Sequence, residues 1–358
     1  MSSTQKKVLA TTLAQRAAEQ AASLAIWLVS GEVQSPAGAF CAWREDGGEL
    51  AFEYPEITGY ALTWLASRHD LSEAEIEAGR RAAVWLLERL ETNDLSAHAQ
   101  WDGDAVYTFD LGMISSGLIS FGKRVGEPSF IDGGERVGRH LAALFLGEET
   151  PPQVDPNGPP SGRPPTWSNA GHPHLSKCVQ AMLLAEQGEA AERLIAHAAT
   201  FQHPSGYFLT QPDEDLVMLH PHFYTVEAMW MWGTARADDT AIACARRATE
   251  WAWRHQLPDG GLPRLVNLTS EERLGVEQLD VTSQAVRCAL LVEAEVDGMA
   301  RAIERLLAAA RPAGQGTALP YQPQSGSTHL NAWVTMFGAQ ALELAASEDR
   351  RLEWHELV

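Results

Sequence analysis

The chain has 358 residues, 45% of them hydrophobic and 12 of them Trp, with a formal net charge of −20 at pH 7. That much apolar material can bury a large core, and the charge repels polyanions, which argues against nucleic acid and anionic membranes as partners. The four cysteines, Cys41, Cys178, Cys244 and Cys288, are far apart without a CxxC pair, and no run approaches the length of a membrane span, so a reduced, cytoplasmic protein without a disulfide framework is expected.

In chain order, an Ala-rich run over 12–29 has apolar residues at i, i+3, i+4 and i+7, which predicts an amphipathic helix with one wet face. A loop with a β-like piece at 37–43 follows, and then the cluster Glu53-Tyr54-Pro55-Glu56 opens a far more apolar run at 58–67. The alternation continues. Amphipathic runs lie at 73–91, 132–146, 189–201, 239–255 and 298–310, and runs apolar nearly all round lie at 111–122, 175–185, 223–235, 281–295 and 332–345. Helices of the second kind have to be surrounded by protein. The first kind are outer helices and the second inner ones, twelve in six pairs.

Each inner run begins with aromatic, imidazole or carboxylate residues. After Glu56 come Tyr107-Thr108-Phe109-Asp110, His172-Pro173-His174, His220-Pro221-His222, Gln278-Leu279-Asp280 and His329-Leu330-Asn331. Taking Glu56, Asp110, His172, His222, Asp280 and Asn331 as markers, the steps are 54, 62, 50, 58 and 51 residues, the length of a helical hairpin with one long connection. Connections from inner to outer runs are short, whereas those from outer to inner are long and rich in Gly, Pro and aromatics, including 38–40, 204–208, 259–263 and 320–323. Pro151 to Pro165 reads as an elaborated loop of the same kind, so one domain is expected to span residues 1–358. The expected fold is an all-α (α/α)6 toroid with its long loops at the N-terminal mouth of the inner helices. Long loops on one end of a rigid scaffold are where sites are built.

The architecture resembles the six-hairpin glycosidase-like superfamily. The phrases Glu53-Tyr54-Pro55-Glu56-Ile57-Thr58-Gly59-Tyr60, Tyr107-Thr108-Phe109-Asp110-Leu111-Gly112 and His222-Phe223-Tyr224-Thr225-Val226-Glu227 are loosely similar to those of bacterial relatives of the glucuronyl C5-epimerase catalytic domain. The resemblance covers nearly the whole chain as architecture and implies a sugar-directed enzyme.

The mouth would gather Glu56, Asp110 and Glu227 as acid and base, with Tyr54, Tyr107 and Tyr224 as proton donors or orienting groups. Glu227 stands inside an apolar run, where an unpartnered carboxylate is costly, which favours function over structure. Asp110 and Asp280 read equally well as helix N-caps. His172, His174, Lys177, His220, His222, Arg287 and His329, with Asp280 and Gln284 beside them, suit a small anionic ligand, aided by six helix N-termini. Trp101 and Trp333 could stack on a sugar ring.

Acid–base chemistry on a uronate-type or other oxidised sugar, ending in epimerisation or elimination, is the leading expectation. Two facing carboxylates would instead give glycoside hydrolysis. A lyase or cyclase of specialised metabolism and a non-catalytic binding subunit are the other readings, and assembly into homo- or hetero-oligomers stays open. No cofactor is expected: the Gly pairs at 133–134 and 260–261 lack nucleotide-loop spacing, no Gly-x-Ser-x-Gly elbow or DDxxD run occurs, and the His-Pro-His phrases match no established metal motif.

Overall fold

A computed structural model describes residues 11–92, 106–147, 150–154, 168, 170–171, 173–211, 215–324, 329–347 and 351–358. The helices are α1 (Thr11–Val29), α2 (Pro55–Ala66), α3 (Glu73–Thr92), α4 (Thr108–Val125), α5 (Pro128–Phe145), α6 (Val179–Leu184), α7 (Gly188–Ala199), α8 (Leu219–Arg236), α9 (Asp239–Trp253), α10 (Leu279–Leu291), α11 (Met299–Ala309) and α12 (Ala332–Ala346). The even-numbered helices touch in the order α2, α4, α6, α8, α10, α12 and back to α2. They form the inner ring, with the odd-numbered helices outside and α1 packed on α12 across the seam.

The inner helices owe their place to composition. Every described residue of α4 from Thr108 to Gly122 is buried, whereas α5 buries one stripe that includes Phe130, Val137, Leu141 and Phe145. Gly59 and Gly117 let α2 and α4 approach backbone to backbone, since a Cβ on Gly59 would lie 2.5 Å from Met113 O. The third inner element departs from expectation. It opens as a 3-10 helix, Pro173–Cys178, in which Ser176 Oγ donates to Pro173 O at 2.5 Å, and only then continues as α6.

Short strands tie the loops together. β1 (Trp43–Arg44) pairs antiparallel with β7 (Leu330–Asn331), joining the first hairpin to the last. β2 (Leu216–Met218), β3 (Leu265–Asn267) and β4 (Arg273–Leu274) form a small sheet at the mouth, and β5 (Arg311–Ala313) with β6 (Gly316–Ala318) makes a hairpin beside α1.

Two recurring ties hold the long loops. In Gln34-Ser35-Pro36-Ala37-Gly38, Gln202-His203-Pro204-Ser205-Gly206 and Gln256-Leu257-Pro258-Asp259-Gly260, the Gln amide donates to the carbonyl of its own Gly and to a carbonyl of the next outer helix, Ala78, Cys244 or Gly298. An arginine of that helix, Arg81, Arg247 or Arg301, donates to the Gln oxygen. Each Gly has a positive φ of 112°, 115° or 99° and lies against that arginine's carbonyl. The second tie runs inward: the N–H groups of Phe40, Phe208, Leu262 and Leu319 donate to side chains of Thr58, His222, Thr282 and Thr335 on inner helices.

The far end of the ring is closed by the chain itself. Residues 351–358 carry a 3-10 turn (Trp354–Glu356) that contacts α2, α4, α6 and α8, and Leu357 and Val358 are fully buried. Gln180 donates to Leu357 O, Gln340 donates to Glu356 O, and Gln340 Oε1 accepts from Val358 N.

Candidate active site

The polar groups along the ring axis form two layers. The lower layer is an ion cluster without solvent contact. Glu227 of α8 accepts from Lys177 Nζ at 2.7 Å and from Arg287 NH2 at 2.6 Å, and all three side chains are 0% exposed. Lys177 and Arg287 also donate to Val358 O, and Arg287 donates to Gln340 Oε1. The sequence reading placed Glu227 as acid or base and Lys177 and Arg287 as anion ligands. In the structure the charges of these groups face one another beneath the mouth, because residue 227 lies one turn deeper than Tyr224 and residue 287 almost two turns deeper than Asp280.

The upper layer faces the mouth. Glu56, on the first turn of α2, is buried enough that its carboxyl is pushed up to about 7, against a hydrogen bond from Tyr54 that lowers it. Burial, reinforced by the charges of Glu56 and Asp110, holds the Tyr54 phenol well above its ordinary value and therefore protonated. Asp110 of α4 is 3% exposed. Tyr224 of α8 reaches across the axis to Tyr60 of α2, and both phenols are raised first by burial and then by neighbouring charges. Phe109 packs between Tyr224, at 4.8 Å between ring centres, and His174, at 5.8 Å.

On the opposite wall His220 opens α8. Its Nδ1 lies 2.9 Å from Gln284 Oε1 and 3.3 Å from Asp280 Oδ2, both acceptors, so Nδ1 carries the proton and Nε2 is the basic atom of the ring. Asp280 is oriented by Val281 N–H at 2.8 Å and by Trp333 Nε1 at 3.4 Å. The N-cap position of α10 is Gln278, so Asp280 lies inside the first turn and is not the helix cap that its place in the sequence suggests. The buried amide nitrogen of Gln284 has no hydrogen-bond partner among the described residues.

Aromatic rings run around the rim: Tyr54 against Phe52, Phe52 against Trp43, Trp43 against His329 and Trp333, and Trp333 against Tyr321. Burial lowers His329 below the ordinary imidazole value. A small cleft opens beside His220, lined also by Met218, Arg264, Gln278 and Tyr321. Arg264 is the lining residue that the sequence pattern does not single out. It follows directly on the long loop 259–263, which is the available signal.

His222 belongs elsewhere. Its Nδ1 accepts from Phe208 N–H, its Nε2 bonds Ala248 O, and burial pushes the imidazole down to about 4. A neutral ring occupied on both nitrogens cannot bind an anion, and it removes the second His-Pro-His phrase as a chelate. Tyr107 caps α4, and its backbone pairs with Gln153. His172 and Trp101 lie outside the described residues. Among the described residues no three His, Cys, Asp or Glu side chains converge as metal ligands, and no helix is long and apolar enough to cross a membrane.

No family model matches the chain, and no curated protein matches it. Solved structures do. Cellobiose 2-epimerase from Bacillus thermoamylovorans is 12% identical with a TM-score of 0.70, covering 93% of this chain and 99% of that one. An unsaturated glucuronyl hydrolase specific for heparin is 11% identical with a TM-score of 0.66, covering 93% and 97%. The fold is the six-hairpin (α/α)6 toroid. A type II terpene cyclase from Scytonema shares this architecture at 17% identity and a TM-score of 0.55, covering 93% and 98%. At these identities the likeness is one of fold.

Proposed function

We propose that the protein is an acid–base enzyme that moves a proton at carbon on a small oxidised sugar, with Glu56 and His220 as the two exchanging groups. The observation that carries this reading is their placement. Glu56 sits on α2 and His220 on α8, three positions apart in a ring of six inner helices and so on opposite walls. A carboxyl pushed up to about 7 suits proton exchange near neutrality, and an imidazole whose Nδ1 faces Asp280 presents Nε2 as its basic atom, which is what general acid–base work needs.

In an epimerisation, one group takes the hydrogen next to a carboxyl or carbonyl as a proton, and the electron pair moves into that group. The other then returns a proton to the opposite face, so the substrate gains and loses one proton. In an elimination, the electron pair instead expels the leaving oxygen, which Tyr54, Tyr60 or Tyr224 would protonate. The likeness to an epimerase and a glucuronyl hydrolase supports a sugar as substrate, and the rim of aromatic rings offers it flat apolar faces. Hydrolysis is the second reading, because the charges of Glu56 and Asp110 both bear on Tyr54.

The test is isotope uptake. Sugar acids and uronate-containing disaccharides are incubated with the enzyme in D2O, and in a separate series in 18O water. Deuterium at the carbon next to the carboxyl, or a new carbon–carbon double bond, is expected. Glu56→Gln and His220→Gln should each slow it by about 100-fold or more. Incorporation of 18O without deuterium would replace this reading with hydrolysis.

A further inference from the structure

We infer that Arg264 is the anion-recognising group of this cavity and that it takes the carboxylate of a small ring-shaped sugar acid. The inference rests on the acid–base reading of the same site and adds the group that selects the substrate. Charge accounting points to it. The cations expected to bind the anion, Lys177 and Arg287, are fully buried and neutralised by Glu227, and His222 is held neutral. Arg264 remains. It lines the cleft beside His220, makes no ion pair with a described residue, and its Nε is buried without a hydrogen-bond partner among them. In a chain with a net charge of −20, an arginine in a cleft whose lining carries no carboxylate needs an explanation.

The surroundings fit a two-oxygen ligand. Arginine's planar fork matches a carboxylate in two parallel hydrogen bonds. Across the cleft, Gln278 donates to Tyr321 oxygen, and burial keeps that phenol protonated and so able to donate onward. Gly275, at φ 80°, lies over the arginine: a Cβ there would come 3.3 Å from Arg264 Cδ, so the glycine leaves room for the extended side chain. The donors are one guanidinium and one phenol, fewer than a phosphate would engage. His220 lines the same cleft, so a carboxylate on Arg264 brings the carbon beside it towards Nε2.

The test is calorimetric titration of the intact protein with glucuronate and with its neutral amide. The wild type should bind glucuronate about 10- to 100-fold more tightly than glucuronamide. Arg264→Gln should abolish that preference while leaving amide binding and the melting temperature in place, and Arg264→Lys, which keeps the charge but not the fork, should retain part of it. Equal binding of both ligands by the wild type, or a preference that survives in Arg264→Gln, overturns the inference. Loss of the preference in Arg264→Gln, with no deuterium exchange in any substrate, would uphold Arg264 and remove the acid–base reading.

Discussion

Glu56, half-buried, and His222, fully buried, are titratable groups whose shifts have opposite signs and opposite meanings. His222 is lowered by burial, against the two backbone hydrogen bonds that raise it, and with both ring nitrogens serving the backbone it is a loop tie. Thr58, Thr282 and Thr335 do the same work at the corresponding helix starts. The sequence showed the imidazole but not its threonine counterparts, and that equivalence is what separates scaffold from site. Glu56 is raised, and its hydrogen bond from Tyr54 opposes the shift without cancelling it. A carboxyl raised from 4.5 to about 7 leaves the folded state holding more protons than the unfolded chain between those values. Stability therefore falls as pH rises through that window and stays lower above it. Glu56→Gln should accordingly raise the melting temperature at pH 8, where relief is on the order of 3 kcal/mol, and change it little at pH 4.5, while impairing turnover. Melting curves of the two proteins at both pH values decide it; equal gains at both would show that burial of Glu56 has no ionisation cost.

At the scale of elements, the alternation of amphipathic and wholly apolar runs was legible because it reflects burial, and the long-loop asymmetry located the mouth. What stayed unread was the clasp, since Gln34, Gln202 and Gln256 look like ordinary surface residues until the next outer helix is placed against them. Gln-x-Pro-x-Gly recurs three times along the chain, and its chemistry explains the spacing: the Gln amide reaches the Gly four residues on because the turn folds back at positive φ. Gly206→Ala should be costly on two counts, a strained φ of 115° and a Cβ 2.7 Å from Arg247 O. Gln202→Ala strips hydrogen bonds from Gly206 O and Cys244 O and leaves Arg247 without its Gln acceptor. We expect about 2–4 kcal/mol for the glycine variant and about 1–3 kcal/mol for the glutamine variant, measured by denaturant unfolding. Because one clasp holds both groups, the double variant should cost clearly less than the sum. Full additivity would show that the two act separately.

For the whole molecule, the question is what holds six hairpins in a ring whose axis is polar. Apolar packing between neighbours explains adjacency but not how the charged groups on the axis are accommodated. The structure answers with a cluster drawn from three inner elements and the C-terminal segment: Lys177, Glu227 and Arg287 meet on the axis, and two of them grip Val358 O. The sequence carried these residues at the right helical spacing, yet helical spacing gives a face and not a depth, so they were read as mouth residues. A buried ion pair is a weak source of net stability but very costly to break by halves. Glu227→Ala would leave a lysine and an arginine facing each other without a counter-charge, and the expected loss is about 3–5 kcal/mol. Glu227→Gln keeps the shape and one acceptor oxygen but not the charge or the second acceptor, so it should lose less than Glu227→Ala and should gain stability with rising pH as Lys177 becomes easier to deprotonate. Burial and the Arg287 charge already lower Lys177, and removing Glu227 removes the main influence raising it. Stability of the Gln variant should thus climb with pH across a range where the wild type is flat, because the folded state sheds a proton that the unfolded chain keeps. Denaturant unfolding of the Gln variant over a series of pH values reads this change. If Glu227→Ala unfolds at the same denaturant concentration as the wild type, the axis is held by packing alone and the cluster has no part in closing the ring.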